Sequence, residues 1–128
     1  MRWAILSLRV VWVSRSATRT VEIQPKMTLA ANNLAWILAT HPNAEIRNGA
    51  EAVLWAKRVS DQTNDSQPAF LDTLACAYAE YGDFERAISA ADRAVAMYNA
   101  KGDDSKAANV EARLELFRRG QPFRDELP

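Results

Sequence analysis

The sequence has few of the residues that build metal, redox and disulfide sites. Its 128 residues include one cysteine, Cys76, and one histidine, His41. A disulfide within the chain is therefore excluded, and a zinc site of cysteine and histidine would have too few ligands. No apolar run reaches the ~20 residues that a helix needs to cross a bilayer. We expect no metal, no cofactor and no membrane-spanning segment.

Residues that break helices are also few, with four glycines and five prolines in the whole chain. After Met27 the apolar residues are rich in alanine and poor in β-branched types. Alanine loses no side-chain entropy in a helix and allows neighbouring helices to approach closely. The composition therefore predicts long helices.

The chain carries no net charge, because 16 lysines and arginines balance 16 aspartates and glutamates. Non-specific binding to nucleic acid therefore has no overall electrostatic driving force. The charges are unevenly distributed, since residues 1–27 are basic and residues 61–92 are acidic, with Arg86 as their one basic residue. Such faces are commonly only solvated. The alternative is that the acidic stretch favours a basic partner.

Apolar residues recur at helical spacing in two related units. Segment Leu71–Tyr78 aligns with Ala31–Leu38 at a shift of 40 residues, and Ala87–Ala94 aligns with Ala52–Val59 at a shift of 35. A five-residue insertion within His41–Gly49 accounts for the difference between the two shifts. The i, i+3, i+4, i+7 spacing within each segment is typical of an amphipathic helix. It predicts five helices, near residues 28–40, 49–60, 68–81, 83–99 and 103–119.

From Leu74 to Ala94 the sequence reads Leu-Ala-x-x-Tyr-x-x-x-Gly-Asp-Phe-x-x-Ala-x-x-x-Ala-x-x-Ala. This pattern resembles the tetratricopeptide repeat (TPR) family, with Gly82 and Phe84 at the turn between two helices. The resemblance implies an all-α fold of antiparallel helical hairpins, stacked as a short TPR-like solenoid with a C-terminal capping helix. The chain would be the C-terminal part of a TPR array. We expect a leader or repeat remnant at 1–27, a helical domain at 28–120 (repeat one 28–62, repeat two 68–100, capping helix 103–119) and a flexible tail at 121–128.

The leader allows more than one interpretation. A basic start followed by the apolar run Trp3–Leu8 resembles a secretory signal, and the protein would be exported if residues 1–20 act as one. Arg9 interrupts the run, so we expect a cytoplasmic protein whose leader is the remnant of a preceding repeat helix. We expect that helix to pack on Leu34 and Leu38, and its surplus apolar face to make a homodimer.

Nothing in the sequence favours catalysis. Cys76 and His41 are its one thiol–imidazole combination, yet Cys76 is expected in the middle of a helix and His41 at the end of another, before Pro42. Gly-rich phosphate loops, HExxH and nucleophile-elbow motifs are absent. We therefore predict that the chain is not an enzyme and that Cys76 is a packing residue.

The TPR resemblance implies a binding groove lined by the first helix of each hairpin. The expected groove residues are Asn32, Trp36 and Thr40 in the first unit and Asp72, Cys76 and Glu80 in the second. The asparagine amide can bond a peptide backbone, the indole offers apolar area and a donor, and the two carboxylates favour a basic, extended segment. Trp36 is equally compatible with packing on the following helix, and Asn32 with solvation.

These observations predict a non-enzymatic module that binds a protein or peptide, with no nucleic acid and no membrane among its partners. One alternative is a C-terminal fragment of a larger multidomain protein, whose missing part is an enzyme. The other is a structural oligomerisation unit, which solution mass would distinguish.

Overall fold

The computed structural model describes residues 10–13, 20–24 and 27–126. Five helices make up most of this part of the chain, and two short strands precede them. The elements are β1 (Val10–Val13), β2 (Thr20–Ile23), α1 (Thr28–Thr40), α2 (Gly49–Gln62), α3 (Pro68–Tyr81), α4 (Phe84–Ala100) and α5 (Asp104–Arg118). The five predicted helices are therefore confirmed, with ends that differ by at most two residues.

Local signals explain where several helices begin. The side chains of Asn48 and Asp83 accept hydrogen bonds from backbone N–H groups three residues later, at 3.1 and 3.2 Å. Asp103 caps α5 in the same way. Side-chain oxygens at these positions satisfy amides that have no partner within the helix. Pro68 stands in the first turn of α3, where its missing N–H costs nothing.

Helices that follow one another in sequence pack against one another, and α1 also packs against α3. Alanine is the most frequent residue in the resulting core, with Ala56 and Ala91 at 1% and 0% exposure. The backbones of α2 and α3 come close together at Gly49, where a Cβ atom would lie 2.8 Å from the backbone nitrogen of Tyr81. Small residues therefore set the distance between α2 and α3.

The prediction of a helical leader is wrong in the part of the leader that is described. β1 and β2 form an antiparallel ladder in which Val10 pairs with Ile23 and Val13 pairs with Thr20. Both strands are rich in β-branched residues, which lose rotamer freedom in a helix and fit a pleated strand. The all-α description therefore applies to residues 28–118, and β2 lies beside α2.

The apolar run Trp3–Leu8, on which the signal and homodimer hypotheses depend, lies outside the described residues. Within residues 10–13, 20–24 and 27–126, no helix is both long and apolar enough to cross a membrane.

Candidate peptide-binding face

Side chains from α1, α3 and α5 meet residues 121–126, which follow α5 and are called the C-terminal segment below. The chain leaves α5 through Gly120, which has a left-handed φ of 69°. The N–H of Gln121 then donates to the carbonyl of Leu116 at 2.9 Å, which turns the chain back toward the helices. The segment contacts Trp36 and Thr40 on α1, Glu80 on α3 and Arg113 on α5. These four residues are called the receiving face.

The aromatic part of the contact is formed by Phe123. Its ring centroid lies 5.8 Å from that of Trp36, with the two planes tilted by 50°. The guanidinium carbon of Arg113 lies 5.0 Å from the Phe123 centroid and 5.6 Å from the Trp36 centroid. Tilted ring pairs and cations near ring faces are favourable arrangements. The three side chains therefore form one cluster that joins α1, α5 and the C-terminal segment.

The polar part of the contact follows immediately in sequence. Arg124 Nη1 lies 2.7 Å from Glu80 Oε1. The indole Nε1 of Trp36 donates to Asp125 Oδ2 at 2.8 Å, and the backbone N–H of Asp125 donates to the carbonyl of Thr40, also at 2.8 Å. The last carbonyls of a helix have no partner within it. The C-terminal segment therefore supplies one of the bonds that α1 needs at its end.

Asp72 holds Arg113 in place. The Nε and Nη2 atoms of Arg113 donate to the two carboxylate oxygens of Asp72 at 2.9 and 2.7 Å. Asp72 is 8% exposed. Burial raises the pKa of Asp72 above its ordinary value, although the hydrogen bonds and the charge of Arg113 act in the opposite direction. A bidentate pair of this kind fixes the orientation of the guanidinium group.

Arg47 holds Glu80 in place, as Asp72 holds Arg113. Its Nε atom lies 3.2 Å from Glu80 Oε2, and its Nη1 atom donates to the carbonyls of His41 and Pro42 at 2.7 and 2.9 Å. Arg47 belongs to the loop between α1 and α2. This loop therefore positions a carboxylate of the neighbouring hairpin as well as closing its own turn.

The predicted groove residues have different placements. Trp36 and Glu80 contact the C-terminal segment directly, whereas Asp72 acts through Arg113. Asn32 is half-buried, and its Oδ1 atom has no hydrogen-bond partner among the described residues.

Thr40 and Cys76 do not lie as expected of open groove positions. The Thr40 hydroxyl donates to the carbonyl of Trp36 in its own helix, so Thr40 contacts the C-terminal segment through its backbone. Cys76 is 1% exposed. Burial, and then the charge of Asp72, raise the pKa of the Cys76 thiol well above its ordinary value. The thiol is therefore neutral and shielded, as expected of a packing cysteine.

The basic and C-terminal residues of this contact are not among the predicted groove residues, and residues 121–128 were expected to be flexible. Instead, residues 122–125 are half-buried against the helices. One signal was present in the sequence, because Phe123 is a large apolar residue beyond the last helix and would otherwise face water. Arg113 gave no such signal, since an arginine on a terminal helix is usually solvated.

The His41 imidazole contacts the backbone of its own loop. His41 Nδ1 accepts a hydrogen bond from the backbone N–H of Asn43 at 3.0 Å. No group of three or more histidine, cysteine, aspartate or glutamate side chains in the described part of the chain is arranged to hold a metal ion.

Comparisons with protein-family models, with curated proteins and with solved structures find no match for this chain. The chemistry of the receiving face is therefore the basis for any functional conclusion.

Proposed function

We propose that this protein is a non-enzymatic interaction module that binds an extended segment of another protein across its receiving face. The observation that carries the proposal is the C-terminal segment, which lies on this face with an aromatic, an ionic and a backbone contact. These contacts support the proposal, because the same groups would be available to a segment of another protein.

The contacts on the face match the requirements of peptide recognition. A backbone contact to Thr40 is independent of sequence, whereas the Trp36 ring and the Glu80 carboxylate select particular side chains. Glu80 binds Arg124 in the segment, which supports the expectation that the acidic helix α3 favours a basic partner. We expect the partner to be extended and to present an arginine or a lysine to Glu80.

A TPR-like arrangement is part of this proposal. Helices α1, α3 and α5 are the first helix of each predicted hairpin and the capping helix. All three contribute to one face through Trp36, Glu80 and Arg113. In a helical solenoid the first helices line the surface that commonly binds ligands. The capping helix would then complete a face begun by the two repeats.

The test is selection of peptides from a random displayed library. The bait is the full chain with Phe123→Ala, Arg124→Ala and Asp125→Ala, called the release variant, because these changes remove the segment's side-chain contacts with the receiving face. We expect selected peptides to lose binding when Trp36→Ala and Glu80→Arg are added to the bait. Leu54→Ala is the matched control, since Leu54 is 48% exposed on α2. The proposal fails if no peptide is selected, or if the selected peptides bind equally well without Trp36 and Glu80.

A further inference from the structure

We propose that the partner carries an aromatic residue, an arginine and a carboxylate in consecutive positions, and that the C-terminal segment competes with it for the receiving face. This inference rests on the proposed function, and it adds the chemistry of the partner and the regulation of the site. In the C-terminal segment these three positions are Phe123, Arg124 and Asp125.

Each of the three positions has its own recognition group on the receiving face. The aromatic ring lies against Trp36 and Arg113, the guanidinium group meets Glu80, and the carboxylate accepts the Trp36 indole N–H. An arginine–carboxylate pair and an indole–carboxylate bond require opposite charges at adjacent positions. A partner with the charges reversed would place like charges together at Glu80 and leave the indole N–H unpaired.

The receiving face is held in position by contacts that do not involve the segment. Asp72 fixes Arg113 through two hydrogen bonds, and Arg47 contacts the second oxygen of Glu80. These contacts are available whether or not the segment is bound. The face is therefore preorganised, so a segment from another protein would meet the same groups in the same places.

The C-terminal segment is also suited to leave the face. It is joined to α5 through Gly120, whose positive φ is easily exchanged for other backbone conformations. Its two ends, Gln121 and Glu126, are exposed. Segments with few buried contacts open at low cost in free energy. Release would expose the indole of Trp36 and the carbonyl of Thr40 without disturbing the Asp72–Arg113 pair.

Tethering determines how strongly the segment competes. A segment on a short linker has an effective concentration on the order of 1 mM. If a free copy binds the empty face with a Kd of about 10 to 100 μM, the tethered segment weakens its apparent affinity by about 10- to 100-fold. The competition is therefore large enough to measure.

The experiment uses a fluorescent synthetic peptide of residues 119–128 and follows its anisotropy as protein is added. We expect the release variant to bind this peptide about 10 to 100 times more tightly than the unsubstituted chain. A peptide with glutamate in place of Arg124 is the matched control and should bind neither protein. Phe123→Ala alone should give an intermediate affinity, which provides a second variant if the triple substitution lowers helicity in circular dichroism.

Each negative result of this experiment has a different interpretation. Equal affinity for the release variant and the unsubstituted chain would overturn the competition and leave the proposed function intact. If the peptide binds neither protein while library peptides still bind the receiving face, the aromatic–arginine–carboxylate chemistry is wrong. If the unsubstituted chain has the solution mass of a dimer and the release variant that of a monomer, the segment is exchanged between copies. That result would overturn competition within one chain.

Discussion

The two helical hairpins reverse direction in different ways. Between α3 and α4 the chain turns through Gly82, at a φ of 96°, and Asp83, which caps the next helix. Between α1 and α2 it takes the eight residues 41–48, and Arg47 bonds the carbonyls of two of them. The first hairpin also receives the N–H of Asp125 at the carbonyl of Thr40.

The difference shows where the information for each turn lies. The second turn is complete within two residues, because glycine tolerates the left-handed backbone and aspartate accepts a hydrogen bond from one of the free amides of α4. The first turn depends on Asp125, which lies 85 positions after Thr40, and on Glu80 in the other hairpin. The residues that complete the first turn also form the candidate site, so the stability of that turn and occupation of the receiving face are coupled.

The largest loss of stability should come from substituting Asp72, the buried carboxylate that binds Arg113. Asp72→Lys places a second cation beside Arg113, whose side chain is only 16% exposed. Breaking a buried pair in this way should lower the free energy of unfolding by about 3 to 5 kcal/mol. Urea denaturation followed by circular dichroism measures the loss.

The matched control is Asp92→Lys, because the Asp92 side chain is 55% exposed on α4. That variant should keep the urea midpoint of the unsubstituted chain. An unchanged midpoint for Asp72→Lys as well would show that the Asp72–Arg113 pair contributes nothing to stability.

The next largest loss of stability should distinguish Gly49, at the start of α2, from Gly82, after the end of α3. Gly49→Ala puts a Cβ atom 2.8 Å from the backbone of Tyr81, so α2 and α3 must separate, at a cost of about 3 kcal/mol. Gly82→Ala meets no atom within 4 Å, and its cost of about 1 to 2 kcal/mol comes from the left-handed φ alone. Thermal or urea unfolding of both variants gives the comparison. If Gly82→Ala is the more damaging, spacing between the hairpins is not what requires Gly49.

Equivalent alanines in the two hairpins should respond alike. Ala56→Leu in α2 and Ala91→Leu in α4 each add three carbons at a site with at most 1% exposure. Overpacking should cost about 2 kcal/mol at each position. The measurement is the urea concentration at the midpoint of unfolding, compared between chains whose unfolding curves have the same slope. A midpoint equal to that of the unsubstituted chain would mean that the neighbouring helices can move apart freely at that position.

The smallest effect on stability should distinguish the residues that stabilise the first turn from those that stabilise the second. Asp125→Ala removes the acceptor of the Trp36 indole and should cost about 1 kcal/mol. Amide hydrogen exchange should then increase in the last turn of α1 and remain unchanged in α4. Asp83→Ala is the matched change in the second hairpin, and it should increase exchange in the first turn of α4 alone. Faster exchange in both hairpins after either change would contradict the assignment of Asp125 to the first turn and Asp83 to the second.

Much of the helical fold could be predicted because its signals are local. The spacing of Leu71, Leu74 and Ala75 requires one buried helix face, and Gly82 with Asp83 ends one helix and starts the next. The prediction that the leader is the remnant of a repeat helix is wrong where β1 and β2 form. The valines of β1 favour a strand, as the structure shows.

Only some residues of the candidate site could be predicted from the sequence. Trp36 and Glu80 were predicted because the resemblance to tetratricopeptide repeats implies groove positions one step away from the core stripe. Arg113 was missed because its partner Asp72 lies 41 positions earlier, and no local pattern joins them. The burial of Cys76 and the inward bond of the Thr40 hydroxyl likewise depend on what the neighbouring helices cover.

The sequence by itself determined the helices from Thr28 onward, their caps and the alanine-rich contacts between them. These follow from backbone propensity and from apolar spacing within about ten residues, which are local properties of the residue order. Only the tertiary structure decided where residues 121–126 lie and what Glu80 and Arg113 bind. Those contacts join residues far apart in sequence, and they form only after the helices have brought Trp36, Glu80 and Arg113 onto one face.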